Sequence, residues 1–340
     1  MRRIAIMNQK GGCGKTTTAV NLAGALAARG LRTLLVDLDP QGHCAAGLAI
    51  PESRLDADIG EAMLVGDRAG FDAERLIWRI SRRLDLAPSR TRLASFDTNG
   101  QGADRPDLDW LLDRFLSRLS SQYDVCVIDT PPGSRNVLAR NALAAASLVL
   151  VPVETSYYAL QSATNEVATL AELGERMGVQ PQIGVLPSVH EQTVALARDL
   201  ESELSRRVNA RMVPFVIRYD VAVKEAASFG QSVLDYNSSS DAATDFVQLA
   251  TWTIDQLRTL VDHRPTAATA QAVRAVPGMD AHRELSRRVA SAGIPGREGS
   301  FTPATHSMMS QSSRADDLAR TARRMQDQRS VQSFSGHSHV

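Results

Sequence analysis

The sequence predicts a doubly wound α/β fold, a mostly parallel sheet with helices on both faces, followed by a low-complexity C-terminal tail. Two observations predict the sheet. Short continuous runs of Val, Ile and Leu, typical of strands that are covered on both faces, alternate with longer segments of helical periodicity. Glycines or acidic residues follow several of these runs, at the strand ends where ligands bind in such sheets. A third observation, a sharp fall in apolar content after residue 262, predicts the tail.

The predicted elements alternate along the first 262 residues. Strands are predicted at 4–8, 33–39, 125–129, 148–153, 183–186 and 213–217. Helices are predicted at 15–29, 107–120, 134–146, 157–177, 193–208 and 240–261. Because right-handed crossovers join consecutive parallel strands, this order predicts one α/β domain over residues 1–262.

Residues 263–340 differ in composition from the rest of the chain. They contain 11 Arg, no Lys and 6 acidic residues, so their net charge of +5 cancels a net charge of −5 on residues 1–262. Only 10 of these 78 residues are Leu, Ile, Val or Phe, whereas 11 are Ser. So little apolar surface does not offset the entropy lost on ordering, and we expect a basic, disordered Ser/Arg-rich tail.

Composition also excludes several classes of protein. No apolar run approaches the roughly 18 residues of a membrane span, and the N-terminal residues lack the pattern of a signal peptide. The three cysteines are not closely paired, which argues against a disulfide framework or a zinc site and favours a reducing compartment. We therefore expect a cytoplasmic protein.

The strongest motif is the glycine-rich segment 10–18, which lies between a predicted strand and a predicted helix. A phosphate loop needs glycines so that backbone N–H groups converge on phosphate oxygens, a lysine for the β- and γ-phosphates and a hydroxyl for Mg²⁺. The tripeptide Gly-Lys-Thr at 14–16 supplies this core. The ordinary motif has glycine at position 9, where this chain has Gln9, and a second lysine, Lys10, precedes the glycine pair. The chain has 35 Arg but only three Lys, and two of the three lie in this segment.

This loop resembles the deviant phosphate loop of the ParA/MinD superfamily. Three further segments are similar to the ParA-type version: Val-Asp-Leu-Asp-Pro-Gln-Gly at 36–42, Tyr-Asp-Val-Cys-Val-Ile-Asp-Thr-Pro-Pro at 123–132, and Lys-Glu-Ala-Ala-Ser-Phe-Gly at 224–230. The match keeps its order and spacing over about residues 1–260.

The resemblance implies a Mg²⁺-dependent ATPase that forms a homodimer bridged by ATP. It implies that Lys15 serves the nucleotide of its own subunit, while Lys10 reaches the nucleotide of the partner. Two cations at the phosphates would stabilise the charge of a phosphoryl-transfer transition state. The implied nucleotide contacts are Gly11, Gly12, Cys13, Gly14, Lys15, Thr16, Thr17, Arg218 and Asp220.

Asp39 and Asp129 end two predicted strands, and Asp37 lies two residues before the end of the first of them. By the resemblance Asp39 orients or activates the attacking water, although a turn aspartate before Pro40 would fit the pattern too. Asp129 suits a Mg²⁺ site together with Thr16, with an ordinary strand-end aspartate as the alternative. Asp37 is expected to have a structural role near the metal.

The use of the ATPase depends on its partners. The loop begins at residue 10 with no helix-turn-helix before it, as in the short ParA type, which binds DNA nonspecifically. Ala222 stands where the family often has a DNA-contacting arginine, which puts that contact in doubt. Compensating contacts to DNA phosphates are expected from the basic tail or from Arg206, Arg207, Arg218 and Lys224.

Three functions remain open. The first is partition of chromosome or plasmid DNA with a ParB-like partner that stimulates hydrolysis, at the nucleoid. The second is positioning of a protein cargo on the nucleoid through an adaptor. The third is a MinD-like membrane switch, which is disfavoured because segment 314–328 has only two large apolar residues at helical spacing. The lack of paired cluster cysteines disfavours an iron–sulfur reductase, and the lack of any tyrosine after Tyr236 disfavours a tyrosine kinase.

Overall fold

The computed structural model describes residues 1–65, 72–96, 107–154, 157–190 and 195–260. The domain boundary at residue 262 and the tail 263–340 lie outside these ranges, and both remain predictions. Within the described ranges, no helix combines the length and the apolar character needed to cross a membrane.

Seven strands of the described residues form one sheet, which confirms the predicted doubly wound α/β class. The strands are β1 (Arg2–Ile6), β2 (Thr33–Asp37), β3 (Trp78–Ser81), β4 (Leu84–Ala87), β5 (Val125–Asp129), β6 (Leu148–Glu154) and β7 (Gln182–Ser188). Their order is β3-β4-β2-β5-β1-β6-β7, and every pair is parallel except β3 with β4. The chain reverses its direction of winding at β1, the kind of switch point where ligands bind in open α/β sheets.

Ten helices surround the sheet within the described ranges. They are α1 (Lys15–Ala28), α2 (His43–Gly47), α3 (Ile59–Val65), α4 (Leu111–Arg118), α5 (Val137–Ala145), α6 (Tyr157–Met177), α7 (Ala195–Val208), α8 (Val221–Ser228), α9 (Val233–Tyr236) and α10 (Asp241–Thr259). Helices α1, α8, α9 and α10 pack on one face of the sheet and share one hydrophobic core. Helices α3 to α7 pack on the opposite face and share a second core. Strands buried on both faces explain the continuous apolar runs in the sequence.

The register of the parallel strands brings the ends of β1, β2 and β5 to one edge. Asp37 lies opposite Asp129 in the β2–β5 pair, and Ile6 lies opposite Asp129 in the β1–β5 pair. The segments that follow these three strands therefore begin side by side, which positions the glycine-rich loop beside two strand-end carboxylates.

One predicted strand is wrong. Residues 213–217 form no strand, although the backbone N–H of Val213 donates to Val185 (2.8 Å) and that of Ile217 donates to Pro187 (2.8 Å). The two acceptors in β7 are two residues apart, but their donors are four residues apart, so the segment does not keep the spacing of a regular parallel ladder beside β7. The segment follows the edge of the sheet without extending it.

The β3–β4 hairpin was not predicted. Arg79 in β3 and Asp85 in β4 interrupt the apolar pattern, so neither strand reads as a continuous run. The predicted helices are present with shifted ends. Helix α5, for example, begins at Val137 rather than at residue 134, because the Asn136 side chain caps it by accepting from the N–H of Ala139.

Candidate nucleotide and metal site

The loop between β1 and α1 has a backbone that only glycine adopts easily. Gly12 and Gly14 have φ angles of +74° and +84°, in the left-handed region. Gly14 immediately precedes α1, and no side chain among the described residues caps this helix end. The first N–H groups of α1 are therefore left to meet a ligand, and a helix N-terminus with free N–H groups favours an anion.

Lys15, the first residue of α1, is only 7% exposed although it carries a charge. Its Nζ donates to the carbonyl oxygen of Lys10 at 2.9 Å, so the ammonium lies inside the curve of the loop. The buried Cys13 thiol donates to the same carbonyl at 3.3 Å, and burial raises the pKa of this thiol. Cys13 therefore fills the loop as a neutral side chain, and Lys15 supplies the charge.

The Lys10 side chain forms an ion pair with the end of β6. Its Nζ lies 2.9 Å from Glu154 Oε2, and both side chains are about 40% exposed. Asn8 accepts from the N–H of Lys10 at 2.9 Å and donates to the carbonyl of Pro152 at 2.7 Å. Asn8 thus ties the start of the loop to β6, while the Lys10 ammonium stays at the surface.

Asp129 lies at the end of β5, fully buried beside α1. Thr16 Oγ1 donates to its Oδ2 at 2.7 Å, and Cys44 Sγ lies 3.5 Å from the same oxygen. Its other oxygen, Oδ1, is buried and has no hydrogen-bond partner among the described residues. Burial raises the pKa of Asp129 to about 6. This carboxylate therefore has an unused acceptor in a place where an unpaired charge is costly.

Asp37, at the end of β2, is held by the backbone of the segment that follows it. One of its oxygens accepts from the N–H of Asp39 at 2.9 Å and the other from the N–H of Cys44 at 3.0 Å. Burial, with the nearby charge of Asp129 as the next cause, raises the pKa of Asp37 well above the usual aspartate range. Ligand atoms of Asp37, Cys44 and Asp129 lie within 4.8 Å of one another.

Asp39 follows β2 by two residues and is also buried. Its Oδ1 accepts from the N–H of Gln41 at 3.0 Å, and its backbone carbonyl accepts from the Ser89 hydroxyl. The hydrogen bond from Gln41 is typical of a turn aspartate, which the sequence offered as the alternative to a catalytic role for Asp39. No hydrogen bond within the described ranges uses Oδ2, so the side chain is oriented at one oxygen and available at the other.

The residues of this site fit ATP and a divalent cation. Thr16 and Asp129 offer oxygen ligands, which Mg²⁺ prefers, and the orphaned Oδ1 of Asp129 gains a partner when a cation binds. The uncapped start of α1 and the buried Lys15 ammonium suit a chain of phosphates.

The remaining predicted residues lie in different surroundings. Gly11 and Thr17 are exposed at the loop surface. Arg218 forms ion pairs with Asp245 at 2.7 Å and Asp241 at 2.8 Å, both in α10. Asp220, also an implied nucleotide contact, accepts hydrogen bonds from the N–H groups of Ala222 (2.9 Å) and Ala242 (3.2 Å), in the first turns of α8 and α10.

The cations expected to contact DNA form only weak surface interactions within the described ranges. Arg206 and Arg207 both pair with Glu203, at 3.1 and 2.8 Å, within α7. Lys224 on α8 lies 5.1 Å from the centre of the Tyr219 ring. All three are exposed or partly exposed, and such surface pairs cost little to exchange for other partners.

Two contributors to the site were not predicted. Glu154 pairs with Lys10, and Asn8 fixes the loop to β6. Both lie at or just after the carboxyl end of a parallel strand, the position where ligand sites form in this class of sheet. Examining every polar residue at those ends would have found them.

Comparison with known proteins gives consistent results. A family model described as an AAA domain matches residues 1–183. The chromosome-partitioning ATPase Soj of Thermus thermophilus is 36% identical over 253 residues, which cover 74% of this chain and 94% of Soj. The chromosome partitioning protein ParA of Myxococcus xanthus is 34% identical over 251 residues, 73% of this chain and 86% of ParA. Among solved structures, cobyrinic acid a,c-diamide synthase of Mycobacterium smegmatis with bound ADP and magnesium is 26% identical, with a TM-score of 0.64, over 76% of this chain and 96% of that chain.

Proposed function

Because this chain belongs to the ParA/Soj family of chromosome-partitioning ATPases, we propose that it dimerises on ATP, binds DNA nonspecifically and partitions chromosomal or plasmid DNA with a ParB-like partner that stimulates hydrolysis. The chain is a partition ATPase that uses ATP and Mg²⁺. One observation carries the proposal: the buried Lys15 and the Thr16–Asp129 pair lie together where the glycine-rich loop enters α1.

The loop residues hold the nucleotide. The N–H groups of Gly11, Gly12, Cys13 and Gly14 and of the first turn of α1 surround the phosphates, and the ammonium of Lys15 meets the β- and γ-phosphates. Thr16 and Asp129 hold Mg²⁺, and Thr17 adds a hydroxyl at the rim of the loop. Mg²⁺, when bound, neutralises charge on the phosphates of the group that is transferred.

Asp39 positions the attacking water. Its Oδ1 is fixed by the N–H of Gln41, and this bond sets the direction in which Oδ2 can accept a proton or a hydrogen bond from water. A carboxylate fixed in this way costs little further ordering when the substrate binds.

Lys10 serves the nucleotide of the partner subunit. Its ammonium is at the surface, and the ion pair with Glu154 joins two half-exposed side chains. Pairs of this kind are worth little in water, so ATP on a second subunit competes effectively for Lys10. This exchange makes dimerisation depend on ATP.

Arg206 and Arg207 on α7 and Lys224 on α8 are the proposed DNA contacts. Their cations are exposed, and in the described part of the chain they contact only Glu203 or Tyr219. Arg218, with two ion pairs to α10, is proposed to hold α10 and not DNA. Binding through phosphate contacts would weaken steeply as salt increases.

The test is a titration of the full chain with duplex DNA of arbitrary sequence, in ATP and in ADP, at two salt concentrations. We expect salt-sensitive binding in ATP that falls in the Arg206→Ala/Arg207→Ala variant. The Arg82→Ala/Arg83→Ala variant removes the same charge elsewhere and is expected to bind normally. Absence of binding in both nucleotides would contradict a function on the nucleoid.

The partner separates partition from positioning of a protein cargo, since both use the same ATP site and the same DNA contacts. We expect a ParB-like protein bound to DNA to raise the rate of ATP hydrolysis. If the rate rises with a cargo adaptor and not with a ParB-like protein, the protein positions that cargo instead. Both outcomes are read from the same steady-state ATPase assay.

A further inference from the structure

A second concave site lies at the opposite end of the sheet. It is a cleft of about 650 Å³ whose lining includes Arg32, Arg79, Arg82, Arg83, Asp85 and Tyr123. Arg32 and Tyr123 precede β2 and β5, and Arg82 and Arg83 form the turn before β4, so this arginine cleft is at the amino ends of the parallel strands. We propose that the arginine cleft binds a small ligand that carries two or more phosphate groups.

Two of the four arginines carry unneutralised charge. Arg82 and Arg83 are exposed, and in the described part of the chain neither has an ion pair. Arg32 pairs with Asp124 at 2.7 Å, and Arg79 pairs with Asp85. The cleft therefore keeps an excess of positive charge for an anionic ligand.

The lining carboxylate does not cancel this excess. Asp85 is 7% exposed, its Oδ1 accepts from Arg79 Nε, and its Oδ2 accepts from the Tyr123 hydroxyl at 2.9 Å. Both oxygens are already occupied at the base of the cleft. The Arg79 side chain, which is 70% exposed, still presents its terminal nitrogens to the solvent.

The backbone that carries the arginines is held by the sheet. The carbonyl of Arg83 accepts from the N–H of Thr33 at 2.8 Å, and the carbonyl of Arg32 accepts from the N–H of Asp124 at 2.8 Å. Asp124 also accepts from the backbone N–H of Arg32 at 2.8 Å. Because strands fix the starting points of these side chains, a ligand pays mainly for ordering the side chains themselves.

The shape and the side-chain types indicate the class of ligand. Guanidinium groups present a planar fork that binds phosphate oxygens in pairs, whereas lysine binds as a point charge. The volume lies within the range of about 300–1,000 Å³ that small-molecule sites occupy. Ala73 and Ile77 add an apolar wall, which suits the part of the ligand that carries no phosphate.

The site is separate from the ATP site. The glycine-rich loop follows the carboxyl end of β1, whereas the arginine cleft borders the amino ends of the neighbouring strands. Five-residue strands rise about 3.3 Å per residue, so about 16 Å of sheet separates the two ends. The inference goes beyond the proposed function and does not depend on DNA binding or dimerisation.

The test measures binding of inorganic tripolyphosphate by calorimetry to the full chain, saturated with Mg²⁺ and ADP so that the phosphate loop is occupied, at about 0.15 M salt. Wild-type protein is expected to bind. Arg82→Ala/Arg83→Ala is expected to weaken binding at least about tenfold. The matched control, Arg176→Ala/Arg258→Ala, removes the same charge from the ends of α6 and α10 and is expected to leave the affinity unchanged.

A second variant guards against loss of folding. Arg82→Lys/Arg83→Lys keeps both charges and removes the fork, and we expect an affinity between those of the wild type and the alanine variant. Absence of tripolyphosphate binding to the wild type, or equal weakening in the two alanine variants, overturns the proposal. Loss of duplex binding in Arg82→Ala/Arg83→Ala, without binding of tripolyphosphate, would make the surface a nucleic-acid contact and overturn it as well.

Discussion

The two ends of the same sheet hold their charges in opposite ways. At the carboxyl ends, Asp37 and Asp129 are fully buried and Lys15 is nearly so. At the amino ends, Arg82 and Arg83 are exposed to water. Buried charge therefore destabilises the free protein at the carboxyl ends of the strands, whereas the exposed charge at the amino ends does not.

Because of this difference, ligand binding should change the stability of the protein at the carboxyl ends of the strands, but not at the amino ends. Burial raises the pKa values of Asp37 and Asp129, which means that their ionised forms are disfavoured until a cation arrives. A ligand that supplies the missing charge stabilises the protein as it binds. At the amino ends a substitution should change affinity and leave stability nearly unchanged.

Lys15→Ala is the substitution with the largest expected effect on this comparison of the two ends. Removing a buried ammonium that meets the phosphates is expected to lower the affinity for ATP about a thousandfold, or about 4 kcal/mol. Binding of a fluorescent ATP analogue measures this change. Lys224→Ala, which removes a lysine on the surface of α8, is the control and is expected to retain affinity. Retained ATP affinity in Lys15→Ala would overturn the assignment of the site.

Asp39→Ala sharpens the comparison by separating binding from chemistry. Hydrolysis is expected to fall about a hundredfold because the oriented carboxylate is lost, while ATP still binds and dimers persist. Single-turnover hydrolysis and sedimentation measure the two properties. Ser89→Ala removes only the hydrogen bond to the backbone of Asp39 and should reduce the rate much less. Turnover at the wild-type rate in Asp39→Ala would remove this residue from the mechanism.

The cost of buried charge can be measured directly with Asp129→Asn. At pH 7 the wild-type carboxylate is ionised against a pKa of about 6, and a neutral amide avoids that penalty. We expect the nucleotide-free variant to gain about 3 kcal/mol in free energy of unfolding while losing affinity for Mg²⁺. Because protonation removes the same charge from the wild type, the gain should shrink as the pH falls through 6.

Asp37→Asn is the matched control for this prediction. Both oxygens of Asp37 accept backbone N–H groups, and an amide NH2 cannot accept, so this variant should lose stability. Urea denaturation without Mg²⁺ or nucleotide measures both variants. If Asp129→Asn proves less stable than the wild type at pH 7, the burial of charge at this end does not strain the free protein.

The sequence predicts the central strands because they are covered on both faces and their apolar runs are uninterrupted. The β3–β4 hairpin lies at an edge, where Arg79 and Asp85 pair with each other and break the pattern. Residues 213–217 show the reverse case, since their apolar pattern is strong but their two N–H donors to β7 lie four residues apart instead of two. The apolar pattern of a segment thus predicts its burial, whereas its pairing with other strands depends on residues that are distant in the chain.

The residues of the candidate site show the same division between local sequence patterns and contacts that are distant in the chain. The motif identifies Lys15 and Thr16, because a phosphate loop is a local structure. The position of Arg218 depends on Asp245, 27 residues away, and the partner of Lys10 is Glu154, 144 residues away. Contacts at such separations have no local signal, and only the packing of the folded chain reveals them.

The smallest effect concerns Glu154→Gln, which tests whether the surface cation Lys10 belongs with the ATP site. Because the Lys10–Glu154 pair is about 40% exposed on both sides, the free energy of unfolding should change by less than about 0.5 kcal/mol. The variant releases Lys10, so ATP-dependent dimers should form about twofold to threefold more tightly if Lys10 reaches the partner's nucleotide. Sedimentation in ATP and in ADP measures the change, and ATP affinity of the monomer should stay constant. Weaker or unchanged dimerisation would instead mean that Lys10 is a hydrated surface cation, like Arg82 and Arg83, with no role at the partner's nucleotide.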